Sequence, residues 1–251
     1  MGKIIAVVNQ KGGVGKTTTA VNLSAALQAE GKKVLLCDFD PQANATSGLG
    51  INKRKLQKTV YHTIVDGVSA KDVLVHTDYA DVIPASADLA GAAVELLSMD
   101  QPNYQLRDAL QPLADSYDYI FIDCPPSLEL LTINALAAAE GILVPVQCEY
   151  YALEGLSDLM STLRAVKKRM NPNLEIFGVL LTMFDGRTNF CTQVAQEVRR
   201  HFPGKVYATV IPRNIRLAEA PSHGLPVIAY DKSSRGAQAY RAMAEEIREK
   251  L

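Results

Sequence analysis

The chain has 251 residues, 48% of them hydrophobic and 21% charged, with 26 Lys and Arg against 27 Asp and Glu for a formal charge of −1. That is enough chain to bury a sizeable core, and the composition excludes a disordered or low-complexity chain. The near-neutral balance argues against a constitutively basic nucleic-acid binder.

Read from the N-terminus, short apolar runs alternate with helical patterns. Strands are expected at residues 4–8, 34–39, 82–84, 119–122, 142–146, 176–181, 206–211 and 227–229. Several are apolar on both faces, as strands inside a parallel sheet must be. Helices are expected at 16–30 (stopped by Gly31), 89–98, 104–116, 127–139, 153–170, 189–202 and 234–250. The last carries Ala237, Tyr240, Ala244, Ile247 and Leu251 on one stripe. This alternation predicts an α/β fold: one doubly wound, mostly parallel sheet with helices on both faces, spanning residues 1–251 as a single domain.

Met1-Gly2-Lys3 runs straight into the first strand with no signal-peptide pattern. The best membrane candidate, residues 133–148, is interrupted by Glu140 and too short to span a bilayer. A cytoplasmic location is therefore expected. The cysteines, at 37, 124, 148 and 191, form no C-x-x-C pair and read as reduced core thiols. His62, His76, His201 and His223 stand in separate contexts that suggest neither a metal site nor a nucleophile–base pair.

The chemistry is concentrated after the first strand, in "NQKGGVGKTTT", residues 9–19. Strand, glycine-rich loop, then helix is the setting of a phosphate loop, the fold signature of P-loop NTPases. Gly12, Gly13 and Gly15 allow backbone angles that turn N–H groups toward anionic oxygens, with Val14 between them. The helix that follows adds its positive end at Thr17 and Thr18. Lys16 is placed to reach the β- and γ-phosphates of a nucleotide, and the Thr17 hydroxyl to ligate Mg2+. Two features depart from the plain pattern: Gln10 stands where glycine is usual, and a second lysine, Lys11, precedes the glycines.

Two acidic strand ends complete the set. Asp38 and Asp40 close the second strand, at the carboxyl end where such sheets bind ligands. Asp123 closes the run "YDYIFID" and reads as a Walker B carboxylate that would hold Mg2+ through water, whereas Asp38 could support either the loop or the metal shell.

With its early lysine, "KGGVGKTT" resembles the phosphate loop of the ParA/MinD family of ATPases. The segments "ANATSGLG", "CPPSLELLTINAL", "PVQCEYYALEGL", "GVLLTMFDGRTN" and "VIPRNIRLAEAPSHGLPV" are similar to the chromosomal ParA branch, also called Soj. The resemblance covers essentially the whole chain. It implies ATP and Mg2+ as cofactors, an ATP-dependent homodimer, binding of non-specific double-stranded DNA, and hydrolysis stimulated by a ParB-type protein in chromosome segregation or replication control. It assigns Lys11 to the partner's phosphates across the dimer and Asp40 to the attacking water. Gln42 and Asn44 fall in its first switch segment, and residues 124–127 in its second. Pro212, Arg213 and Asn214 fall where the family contacts the adenine, with Met183 and Phe184 as the other wall and Glu149 and Tyr150 on the dimer face. Arg187 and Arg216 are its DNA contacts.

Both arginines lie in residues 185–251, which hold eleven Lys and Arg against seven Asp and Glu, or +4, while the remainder holds fifteen against twenty, or −5. Lys167, Lys168 and Arg169 are a possible addition, although basic residues closing a helix ordinarily serve its dipole. The alternative is a membrane-cycling ATPase of the MinD type. The ending "AMAEEIREKL" lacks the basic, Phe- and Leu-rich amphipathic tail such a protein needs, so no stable membrane association is expected. A cluster-bearing reductase would need a second cysteine to match Cys124.

Overall fold

In a computed structural model, which describes residues 2–149 and 155–251 in full and the backbone of 152–154, eight strands form one sheet in the order β3-β4-β2-β5-β1-β6-β7-β8. The strands are β1 (Lys3–Val7), β2 (Val34–Asp38), β3 (Val75–His76), β4 (Asp81–Ile83), β5 (Tyr119–Asp123), β6 (Gly141–Gln147), β7 (Glu175–Phe184) and β8 (Val206–Pro212). Every pairing is parallel except β3 with β4.

The helices are α1 (Lys16–Ala29), α2 (Asn44–Gly48), α3 (Val60–Ile64), α4 (Leu89–Leu96), α5 (Gln105–Leu110), α6 (Leu130–Ala138), α7 (Ala152–Arg169), α8 (Asn189–His201), α9 (Ile215–Glu219), α10 (Val227–Tyr230) and α11 (Arg235–Lys250).

Successive residues of a strand point to opposite faces, so each central strand feeds two cores. Ile4, Ala6, Leu35, Cys37, Ile120, Ile122, Ile142 and Val144 face one side, where Leu110, Leu136, Leu159 and Val198 of the intervening helices cover them. Ile5, Val7, Leu36, Phe121, Leu143 and Leu180 face the other, covered by Leu23 and Leu27 of α1 and by Tyr240 and Ile247 of α11. Burial on both faces explains why these strands read as unbroken apolar runs. Of the stripe expected on the C-terminal helix, Ala237, Tyr240, Ala244 and Ile247 are buried and Met243 joins them, while Leu251 caps the helix end and is only half-buried.

Some expected elements change. Residues 227–229 are not a strand but lie in α10, whose N–H groups turn back onto Pro226. Helix 104–116 is α5 followed by a 3-10 segment, Gln111–Ser116, because Pro112 cannot continue the α ladder. Cys37, Cys124 and Cys191 are buried, while Cys148 is only half-buried. At the β8 edge, Glu246 of α11 accepts the Ala208 and Thr209 N–H groups, each at 2.8 Å, which satisfies donors that no further strand takes up.

β1 lies in the middle of the sheet, between β5 and β6. The loop that leaves its carboxyl end therefore opens into the crevice where the ends of β2, β5, β6 and β7 converge, and there the candidate residues meet.

Candidate nucleotide site

The phosphate loop is held from behind by two polar side chains. Asn9 donates to the Pro145 carbonyl at 2.8 Å, and its Oδ1 accepts the Lys11 N–H at 3.0 Å. Thr182 on β7 donates to the Val14 carbonyl at 2.8 Å. Gly15 has φ 91° and precedes the first turn of α1. That left-handed angle resists any side chain and frees the first N–H groups of the helix for a ligand. Lys16 is 7% exposed, and its ammonium donates to the Lys11 carbonyl at 3.1 Å. Burial pulls its pKa down, and the nearby Asp123 and Asp40 pull it back up.

Asp38 and Asp123 are register partners at the ends of adjacent strands, and both are fully buried. They are not equivalent. Asp38 accepts the Thr46 N–H and hydroxyl, both at 2.7 Å, and the Asp40 N–H at 3.3 Å. It ties α2 to the sheet, a structural role beneath the turn that leads from Asp40 into α2. Burial pushes its pKa up to about 6 even against those hydrogen bonds.

Asp123 has neither oxygen in a well-formed hydrogen bond. Burial, then the neighbouring Asp38, push its pKa well above the usual carboxylate range, while Thr17 and Lys16 act the other way. A buried carboxylate with no well-formed hydrogen bond, beside the Thr17 hydroxyl and a lysine, fits a divalent cation held with the help of Thr17. Asp40 lies just beyond the strand, 8% exposed. Its Oδ1 accepts the Gln42 N–H at 2.9 Å and its carbonyl accepts the Ala43 N–H at 2.8 Å, which sets the turn into α2.

Lys11 sits at the rim. Its ammonium is ion-paired with Glu149, just past the end of β6, and its neighbour Gln10 donates to Asp158 of α7 at 3.0 Å. A shallow cleft runs past them along Pro126, Ser127, Leu128 and Gly155. Tyr150 lies outside the described residues.

Next to the loop is a cavity of about 400 Å3 walled by Thr18, Met183, Pro212, Arg213, Asn214 and Leu217. Met183 has φ 49°, a left-handed angle that is strained for this residue. Phe184 is not on this wall; it lines the neighbouring cleft of about 820 Å3, because the next position on β7 faces the other way. Sequence reasoning missed Ile215, Leu217 and Ala218, and it read Tyr240 as core only. Tyr240 is both, its hydroxyl 3.1 Å from the Thr19 hydroxyl.

Arg187 and Arg216 do not share a pocket. Arg187 lines the larger cleft with Arg213 and Arg235. It is held by Asp185, with Nε at 2.8 Å and Nη2 at 2.7 Å from the two carboxylate oxygens. Those bonds hold the Asp185 carboxyl down at about 2. Arg216 pairs with Glu219 at 2.7 Å and Asp231 at 3.3 Å. Lys167 donates to the Leu174 carbonyl at 3.0 Å, tying the end of α7 to the connection that leads into β7.

The comparisons with known proteins bear on this whole arrangement. A family model described as an AAA domain matches residues 2–176. The sporulation initiation inhibitor protein Soj of Bacillus subtilis (strain 168) is 57% identical over 249 residues, covering 98% of each chain. The chain belongs to the Soj/ParA family of chromosome-partitioning ATPases. The chromosome partitioning protein ParA of Myxococcus xanthus is 52% identical over 98% of this chain and 88% of its own. Among solved structures, a cobyrinic acid a,c-diamide synthase from Mycobacterium smegmatis with bound ADP and magnesium superposes with a TM-score of 0.86 at 38% identity, covering 98% of this chain and 93% of that one. The sheet and its helices are thus the P-loop fold of Soj/ParA proteins.

Proposed function

We propose that this Soj/ParA chain hydrolyses ATP as a switch between a free state and a DNA-bound homodimer. The observation that carries the reading is the pairing of a complete phosphate-loop site with a second lysine at its rim. Lys16, Thr17, Asp123 and Asp40 converge on one crevice. Lys11 stands at the rim, ion-paired with Glu149.

The adenine occupies the cavity between Pro212, Arg213, Asn214 and Met183. The N–H groups of residues 12–18 cradle the phosphates, and Lys16 leaves the Lys11 carbonyl for the β- and γ-phosphates. Mg2+, when bound, neutralises phosphate charge; Thr17 and Asp123 would hold it. Asp40 orients the attacking water. Lys11 exchanges Glu149 for the phosphates of the second subunit, so the γ-phosphate becomes the condition for a stable dimer. Its cation then meets charge that develops in transfer, as an arginine finger does. Turnover is slow, since a switch needs a long-lived ATP state, and a ParB-type partner accelerates it.

A dimer doubles the cations presented to one duplex, which makes DNA affinity a readout of nucleotide state. Arg187 and Arg216 trade carboxylates for DNA phosphates, contacts that carry no base sequence. The protein is then cytoplasmic, and nucleoid-associated in the ATP state. A membrane-cycling role of the MinD type has less support: the apolar stripe of α11 is consumed against α1 and β8, and among the described residues no helix is long and apolar enough to cross a membrane.

The test is the anisotropy of a random-sequence duplex with Mg-ATP, with Mg-ADP and without nucleotide. Binding is expected with ATP alone, weakening steeply with salt. Equal binding in all three states, or none in any, would overturn the DNA switch.

A further inference from the structure

Between Asp40 and Asp66 the chain has no acidic residue, yet it carries Lys53, Arg54, Lys55 and Lys58. In a chain of net charge −1 this is a local excess of +4 that no motif accounts for. Arg54, Lys55 and Lys58 are exposed on and just after the short 3-10 segment Lys53–Lys55, and no carboxylate among the described residues is ion-paired with them. Arg187 and Arg216, by contrast, each lie against acidic groups of their own surface.

Two contacts fix where this patch sits. Gly50, at φ 78°, approaches the Gly224 backbone so closely that a Cβ on Gly224 would lie 2.7 Å from the Gly50 Cα. That contact seats the start of the patch segment against the turn that follows α9, the helix of Arg216. On the other side, Lys53 donates to the Gln42 carbonyl at 2.7 Å, and the Gln42 N–H donates to Asp40 at 2.9 Å. The patch is therefore joined through one residue to the switch segment, and through a backbone contact to the Gly224 turn on the far side of α9.

We propose that Arg54, Lys55 and Lys58 form a second phosphate-contacting patch for duplex DNA, continuous with Arg216 and carried by the nucleotide-sensing segment. This rests on the DNA-binding reading above and extends the surface to residues outside its motifs. Unpaired, solvated cations gain more from a phosphate row than cations that must first leave a carboxylate. They also add contacts without base specificity. Because Lys53 hangs on the Gln42 carbonyl, a change in the turn at Asp40 shifts the patch as well.

The experiment measures duplex affinity in Mg-ATP against salt for the parent and for the triple variant R54A/K55A/K58A. Each lost phosphate contact removes about 0.9 from the slope of log affinity against log salt. The expected result is a slope shallower by about 2 or more and affinity at least about tenfold weaker near 0.1 M salt. A charge-keeping variant, R54K/K55R/K58R, should hold the parent slope, which separates charge from damage to the fold. A triple variant with the parent's slope and affinity would overturn the patch while leaving DNA binding through Arg187 and Arg216 intact. A parent that binds no duplex in Mg-ATP would overturn both.

Discussion

An Asp40→Ala protein is expected to hydrolyse ATP at least about 100-fold more slowly than the parent, the low end of what a positioned acid–base group supplies. It should still form the ATP-state dimer and stay on DNA. The turn at Asp40 makes the reason specific. Oδ1 is committed to the Gln42 N–H, and among the described residues no donor is bonded to Oδ2, which leaves that oxygen for water. Alanine removes both functions. Asparagine can keep the acceptor for Gln42 and loses only the negative charge. Asp40→Asn should therefore fall in turnover almost as far as Asp40→Ala while melting at the parent temperature. Single-turnover hydrolysis, with gel filtration in Mg-ATP alongside, reads both halves. Undiminished hydrolysis in Asp40→Ala would remove Asp40 from the chemistry.

The larger effect is expected at Lys11. Lys11→Ala should lower partner-stimulated turnover by about 1000-fold, the scale of a cation delivered to the transferring phosphoryl group. It should also lose the ATP-dependent dimer, as read by light scattering in Mg-ATP. Nucleotide binding by the single subunit should survive, because Lys16 and the loop amides do not depend on the Lys11 side chain; Lys16 bonds only its carbonyl. A Lys11→Ala protein that dimerised on ATP and hydrolysed it at the parent rate would contradict the role. Glu149 predicts the complementary behaviour. It holds Lys11 in the single chain, so Glu149→Gln should bring dimerisation to lower ATP concentration.

Much of this was legible in sequence, and the reasons differ by element. β1, β2, β5 and β6 are buried on both faces and so announce themselves as apolar runs. The phosphate loop is legible because its chemistry demands glycines and a lysine at fixed spacing before a helix. Residues 227–229 misled because three apolar residues show no period; Pro226 and its accepted N–H groups decide for helix. Helices as short as α2 and α9, five residues each, carry too little pattern to be seen. The cavity wall was only half visible. Pro212 to Asn214 form a contiguous motif, whereas Tyr240 reaches the cavity from α11, whose stripe looks like plain core. The role of Asp38 needed the fold, since its partner Thr46 lies eight positions away across a turn. The pairing of Arg187 and Arg216 with acids was likewise invisible until the loops were placed.

The most direct measurement mixes two inactive proteins, Lys11→Ala and Asp40→Ala, and follows ATP turnover. In a mixed dimer the Lys11→Ala subunit keeps its own Asp40 and receives Lys11 from its partner. If Lys11 acts across the interface, that site is complete and turnover reappears on mixing. If Lys11 serves its own subunit, every site in the mixture lacks one of the two groups. A mixture no faster than the sum of its components would contradict the account.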